Sequence, residues 1–302
     1  MKKVLAFLLL LLCYSCAKIK YGPVDTFNLF DIRFYQDFED NTIGEYLDTE
    51  WEEDWNYPAW SDRDISPEII RNEDADNGTN VMRFHFPEGS IGPTEGGGQW
   101  YTELDSGYYE LYFSYRIKFK PGFNWVLGGK IPGIRGGPSW EGFGAPGWSD
   151  GYIVLLMWSS APRIRFYYYH HDMDHLYGNS EDWNYLIESG IWYNITIRIV
   201  MNTLNENGGN NDGILEGFIN GELVCQLTDL RFRNLETINS DRLCITSFFG
   251  GDTEEWAAQR DEWIDMDDFV VFTYKNATNI PKGNIPSPAN RRLVPPYSYE
   301  DK

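Results

Sequence analysis

Two runs on either side of a short break restrict the fold more than anything else in this chain. Gly151–Trp158 (GYIVLLMW) is almost continuously apolar, Ser159-Ser160-Ala161-Pro162 has turn chemistry, and Arg163–His171 (RIRFYYYHH) alternates. The first run reads as a buried strand and the second as its hairpin partner. With a side-chain period of two, Arg163, Arg165, Tyr167, Tyr169 and His171 share one face, and Ile164, Phe166, Tyr168 and His170 share the other. Three consecutive tyrosines cannot all point inward, so one face is either polar or lines a cleft. The plainer reading is an aromatic strand inside a sandwich core.

The rest of the chain repeats this pattern of short strands and turn signals. Strands are expected from Phe34 to Asp40, Val81 to Phe86, Tyr109 to Phe119, Ile191 to Met201, Leu243 to Phe249 and Asp268 to Tyr274. Asn220-Gly221, between Ile214–Ile219 and Glu222–Leu227, is a strong two-residue hairpin signal. Trp51, Trp55 and Trp60 lie in an acidic, poorly periodic stretch that reads as loops closing one end of a sandwich. Aromatic residues reach 17%, which suits one large all-β core. The expected fold is a two-sheet antiparallel β-sandwich of jelly-roll type with a concave cleft, spanning 35–274. Residues 17–34 read as a spacer and 275–302 as an extended tail.

The first residues set an address. Met1-Lys2-Lys3 precedes an apolar run through Leu12 that is too short to span a bilayer, so 1–16 reads as a secretory signal. Ser15-Cys16 resembles a bacterial lipoprotein cleavage site, which makes Cys16 the lipidated first residue of an exported, cell-envelope protein and the lipid its link to the membrane. A plain signal peptide is the alternative. Loss of Lys2 and Lys3 moves the formal charge from −21 to −23. So acidic a surface argues against nucleic acid as a partner. It also means that an anionic polymer could bind only in a locally positive cleft. A monomer is expected.

Cys225 and Cys244 remain in the mature body, and either a disulfide or two buried thiols fits them. His170, His171, Asp172, Asp174 and His175 read as an exposed loop rather than a zinc site. No cofactor is required. A structural calcium, held by Glu39 and Asp268 where the first and last strands adjoin, competes with plain surface acids.

Gly128-Gly129-Lys130-Ile131-Pro132-Gly133 follows an aromatic strand. Paired glycines leave little bulk beside the lysine, and Pro132-Gly133 reads as a further turn. By itself this is a glycine-rich surface loop with a solvated lysine. Its place in a longer series changes that reading. Phe86-Pro87-Glu88-Gly89-Ser90-Ile91-Gly92-Pro93, Gly97-Gly98-Gln99-Trp100, Gly129-Lys130-Ile131-Pro132-Gly133, Leu156-Met157-Trp158 and Tyr167-Tyr168-Tyr169-His170 occur in this order. Ile191-Trp192-Tyr193, Asn211-Asp212-Gly213, Phe248-Phe249-Gly250-Gly251 and Asp267-Asp268-Phe269 follow.

The series resembles the alginate lyase and glucuronan lyase group, the jelly-roll polysaccharide lyases of families fourteen and twenty, over 35–274. The resemblance implies a catalytic site at Lys130, Tyr167 and Tyr169, a carboxylate contact from Gln99 as in the glucuronan-cleaving branch, and a histidine aligned with His85. It also exposes a departure. Where alginate-cleaving members carry a serine and an arginine before the Leu-Met-Trp end, this chain has Ile153 and Leu155.

Such enzymes cut uronic-acid chains by β-elimination. They must neutralise a carboxylate, remove the C5 proton beside it and protonate the departing O4. Lys130 and Arg165 suit charge stabilisation, with Arg165 supplying the cation missing at Leu155. Arg163 and His171, on the same strand face, are further substrate contacts. Tyr167 and Tyr169 form the proton-transfer pair, with His85 as a competing base. The leading expectation is an exported lyase acting on a glucuronan- or alginate-like anionic polysaccharide. The second reading is a non-catalytic glycan-binding lipoprotein that keeps the cleft. A retaining glycosidase ranks last, because no Glu-x-Asp-x-x-Glu strand is present.

Overall fold

The computed structural model describes residues 30–72, 78–137, 151–174 and 177–274. In chain order the elements are β1 (Phe30–Gln36), β2 (Gly44–Glu45), α1 (Asp48–Asp54), β3 (Ser61–Asp62), β4 (Glu68–Asn72), β5 (Thr79–Phe86), β6 (Gly98–Tyr108), β7 (Glu110–Phe119), β8 (Gly128–Gly136), β9 (Tyr152–Ser159), β10 (Ile164–Tyr169), β11 (Asn179–Asp182), β12 (Trp192–Val200), β13 (Leu204–Asn205), β14 (Gly208–Gly209), β15 (Gly213–Ile219), β16 (Glu222–Leu230), β17 (Ser240–Phe249) and β18 (Glu262–Tyr274). Among the described residues, no helix is long and apolar enough to cross a membrane. The signal segment, Cys16, most of the spacer, His175 and the 275–302 tail lie outside the described residues.

Two antiparallel sheets account for the architecture. One runs β16-β15-β12-β7-β18-β5-β4-β2, with β1 pairing the C-terminal half of β18; the other runs β11-β10-β9-β8-β17-β6-β3. Their inner faces meet in one core, with Phe84, Phe113, Tyr115 and Ile117 from the first sheet against Trp100, Ile131, Phe166 and Ile245 from the second. This is the expected jelly-roll sandwich. Strand alternation then decides what faces away from the core. On β10, Ile164, Phe166 and Tyr168 are buried inward, so Arg165, Tyr167 and Tyr169 stand on the outer face of the second sheet.

The hairpin at Asn220-Gly221 forms between β15 and β16, with both turn residues at positive φ (51° and 79°). Both signs are what a type I′ turn requires, and asparagine and glycine tolerate them. The tryptophan stretch departs from expectation. It contains α1, and Trp51 and Trp55 are buried edge-to-face against Trp100 at 5.7 and 5.3 Å. Aromatic packing overrides the weak helical periodicity there. The first strand also begins earlier than expected, at Phe30, because β1 pairs with β18 over its length.

Candidate active site

Lys130 lies in a strand, not a loop. Within β8 it pairs with Met157 of β9 on one side and Phe248 of β17 on the other. Its glycine neighbours answer to close packing. A Cβ on Gly129 would stand 2.1 Å from the Trp158 ring and 2.3 Å from the Phe248 carbonyl oxygen. A Cβ on Gly133 would stand 2.0 Å from the Val154 carbonyl oxygen. The expected turn at Pro132-Gly133 is instead a break in register between Ile131 and Ile134, which lets the strand continue.

Around Lys130 the second sheet carries a cleft of about 350 Å³. Gln99 and Tyr101 come from β6, Cys244, Thr246 and Phe248 from β17, Ile153 and Leu155 from β9, and Tyr167 and Tyr169 from β10. Tyr177 and Asp252 also line it. The Lys130 Nζ sits 3.4 Å from the centroid of the Tyr167 ring and 3.1 Å from the Met157 Sδ. Among the described residues no carboxylate pairs with it, and burial lowers its pKa from 10.5 to about 7. The Tyr167 and Tyr169 hydroxyls are hydrogen-bonded at 2.9 Å, and the Gly178 N–H donates to the Tyr167 oxygen at 3.1 Å. Burial, and next the Tyr167 hydrogen bond, raise the Tyr169 pKa, so this phenol keeps its proton. On the opposite side Gln99 uses its Oε1 to accept from the Thr246 hydroxyl at 3.5 Å, which turns its amide N–H groups toward other partners.

The structure therefore brings Lys130, Tyr167, Tyr169 and Gln99 into one cavity, and it leaves other expected residues out. His85 alternates with the core residues Phe84 and Phe86, so it faces outward from the other sheet, where its Nε2 meets the Glu68 carboxylate at 2.9 Å. The sandwich separates it from the cleft, and it is not a competing base. Arg165 is on the cleft side of β10 but pairs opposite Met157, one step beyond the Leu155–Tyr167 pair. Its guanidinium binds Asp182 at 2.7 Å and does not line the cavity, so it does not supply the missing cation. Arg163 and His171 are also outside the lining, and Asn234 holds the His171 ring at 2.9 Å.

Glu39 and Asp268 do approach each other, and β1 does adjoin β18. Yet Asp268 is paired with Arg116 at 3.5 Å and Glu39 accepts the Asn80 backbone N–H at 3.2 Å. Among the described residues no three His, Cys, Asp or Glu side chains converge to hold a metal. Cys225 and Cys244 are free thiols on different sheets, each pushed up to about 12 by burial. Asp172, part of the histidine-rich loop, is ion-paired with Arg231.

Sequence reasoning missed Tyr101, Phe248, Tyr177 and Asp252 as lining residues. The signal for Tyr101 was present: it is two residues after Gln99 on one strand and so shares its face.

A β-sandwich whose outer face gathers a lysine, two linked phenols and an amide has the parts for acid–base chemistry on a sugar acid. The family model for polysaccharide lyase 14 matches residues 74–269, and the chain belongs to that family. It is a polysaccharide lyase. Among solved structures, the alginate lyase Aly36B has 23% identity and a TM-score of 0.64, over 79% of this chain and 95% of that one. A variant of Aly36B is also described in complex with an alginate tetrasaccharide. The marine alginate lyase of Aplysia kurodai has 19% identity and a TM-score of 0.67, over 80% and 98%. The endo-β-1,4-glucuronan lyase of the fungus Trichoderma reesei has 12% identity and a TM-score of 0.50, over 80% and 96%. These likenesses show the fold. No curated protein matches the sequence.

Proposed function

We propose that this protein is an exported lyase that cleaves a uronic-acid-containing, anionic polysaccharide by β-elimination. One observation carries the reading: a lysine lowered to about 7 lies against a hydrogen-bonded tyrosine pair in a glycan-sized cleft. The alginate and glucuronan named for the similar structures are consistent with a substrate of this class. The signal-like residues before Cys16 support export with a lipid anchor, and a monomer is the working state.

The residues divide the reaction as follows. The neutral Lys130 amine takes the C5 proton, and the electron pair left at C5 forms the C4–C5 double bond as the C4–O4 bond breaks. The Tyr167–Tyr169 pair supplies a proton to the departing O4, and the raised pKa keeps the Tyr169 phenol protonated for that step. A proton returned from the Lys130 ammonium to the tyrosine pair closes the cycle. The Gln99 amide N–H groups hydrogen-bond the C5 carboxylate as negative charge builds on it. This differs from the role first expected for Lys130, charge stabilisation, because a buried amine that is half-neutral at pH 7 is a competent base.

The test is direct. Purified mature protein is incubated with a panel of uronic-acid polysaccharides, and absorbance is followed in the unsaturated-uronate band. A rise that K130A abolishes supports the reading. No rise on any substrate, with glycan binding retained, returns the protein to the binding-only alternative.

A further inference from the structure

The charges at the cleft are too few for a densely charged chain. Among the described residues lining it, Lys130 is the one basic side chain and Asp252 the one carboxylate. Of the guanidinium groups on the cleft sheet or beside it, Arg163 lies outside the lining and three others are bound to carboxylates. Arg165 binds Asp182 at 2.7 Å, Arg242 binds Asp241 at 3.0 Å, and Arg63 pairs with Asp48. Arg135, only 2% exposed, packs 4.6 Å from the centre of the Tyr101 ring. The internal segments 73–77, 138–150 and 175–176 contain no lysine or arginine in their sequence. Beside the cleft, Asp252, Glu254 and Glu255 are all exposed. Much of the remaining lining is apolar or aromatic, including Ile153, Leu155, Tyr101, Tyr177 and Phe248.

A homopolyuronate presents a carboxylate on every sugar. Laid along this cleft, it would set one carboxylate at Gln99, beside Lys130, and press its neighbours onto apolar side chains or toward Asp252. An unpaired carboxylate taken from water is costly, and one facing another acid is repelled. Uncharged sugars, in contrast, stack their C–H faces on aromatic rings at no electrostatic cost.

Resting on the lyase reading above, we propose that the substrate is a heteroglycan in which single uronates are flanked by uncharged sugars. Gln99 takes the lone carboxylate while Lys130 faces the C5 proton beside it, Tyr101, Tyr177 and Phe248 take the neutral neighbours, and the Asp252 rim selects against consecutive uronates.

Two substrate sets test this. One holds polymannuronate, polyguluronate and polyglucuronate. The other holds glycans in which glucuronate alternates with a neutral hexose, a deoxyhexose or an N-acetylhexosamine. The proposal expects kcat/KM for unsaturated-product formation to be at least about tenfold higher on the best alternating glycan. D252N should narrow that gap by raising homopolyuronate cleavage several-fold at low salt. Raising ionic strength to about 0.3 M should narrow it in the same way by screening the acidic rim. Homopolyuronates cut as well as or better than alternating chains would overturn the proposal, and so would homopolyuronate cleavage that falls as salt is added. Calorimetric binding to K130A separates the two failures. Tighter binding of alternating chains upholds the specificity even where wild type releases no unsaturated product, the outcome that would sink the lyase reading alone. Equal or tighter binding of homopolyuronates overturns the specificity.

Discussion

If the Lys130 amine is the base, the acid limb of the kcat/KM profile should sit near pH 7 and move when the charge beside Lys130 changes. At an ordinary lysine pKa of 10.5 only about one amine in 3000 is neutral at pH 7; at a pKa of about 7, half are. Below that value the rate should fall about tenfold per pH unit. Met157 offers a way to move the limb, because its Sδ lies 3.1 Å from Nζ and the residue is 7% exposed. Met157→Glu puts a carboxylate at about 4 Å, which at an effective dielectric near 20 favours the ammonium by about 4 kcal/mol. That equals roughly three pKa units, carrying the limb toward pH 10 and cutting the pH 7 rate about 500-fold. Met157→Gln is the uncharged control and should leave the limb near 7. The assay is initial rate of unsaturated-uronate formation from pH 5 to 10.5, with far-ultraviolet circular dichroism confirming the fold at each pH. A flat profile through pH 7 in the wild type, or the same limb in M157E as in M157Q, would refute Lys130 as the base.

Three further outcomes follow from the geometry. Gly129→Ala forces a methyl group into the Trp158 ring and the Phe248 carbonyl, and should cost about 3 kcal/mol, lowering Tm by ~6–10 °C in a thermal melt. Tyr169→Phe removes a proton donor without disturbing the ring packing at 5.4 Å, and should lower kcat by about 10²–10⁴ with the melting temperature nearly unchanged. Gln99→Ala removes the amide facing the developing enolate and should lower kcat/KM by about 100-fold in steady-state kinetics, with circular dichroism unaltered.

Much of this fold was legible because strand patterning is local. The alternation of Arg163–His171 put Tyr167 and Tyr169 on one face, and the structure places that face on the cleft. Asn220-Gly221 marked its hairpin through a requirement for positive φ that few residue pairs meet. The errors arose where long-range packing decides. Paired glycines look like a loop until Trp158 and the Phe248 backbone are seen against Gly129. An acidic run looks like a loop until Trp51 and Trp55 are seen against Trp100.

The site was partly legible for the same reason. His85 carries useful chemistry, and its sequence gives no sign that it faces away from the cleft; the alternating Phe84 and Phe86 pair decides that only once their sheet is known. Arg165 was on the expected strand face, but Asp182, on the short polar strand β11 that had no sequence signal, takes its charge. The apolar pair Ile153 and Leu155, met in the sequence as a departure from family pattern, does line the cleft. Residues that alternate on strands could be placed from the sequence; the partners that neutralise or shield them could not.

Elimination is the central claim, and the products made in heavy-oxygen water test it most directly. Elimination takes no oxygen from solvent, so mass spectrometry should find unlabelled oligosaccharides, each new non-reducing end one water lighter than a hydrolysis product, and none of them formed by K130A. Fragments of full hydrolytic mass that carry the heavy oxygen would show that water breaks the glycosidic bond and would contradict the account.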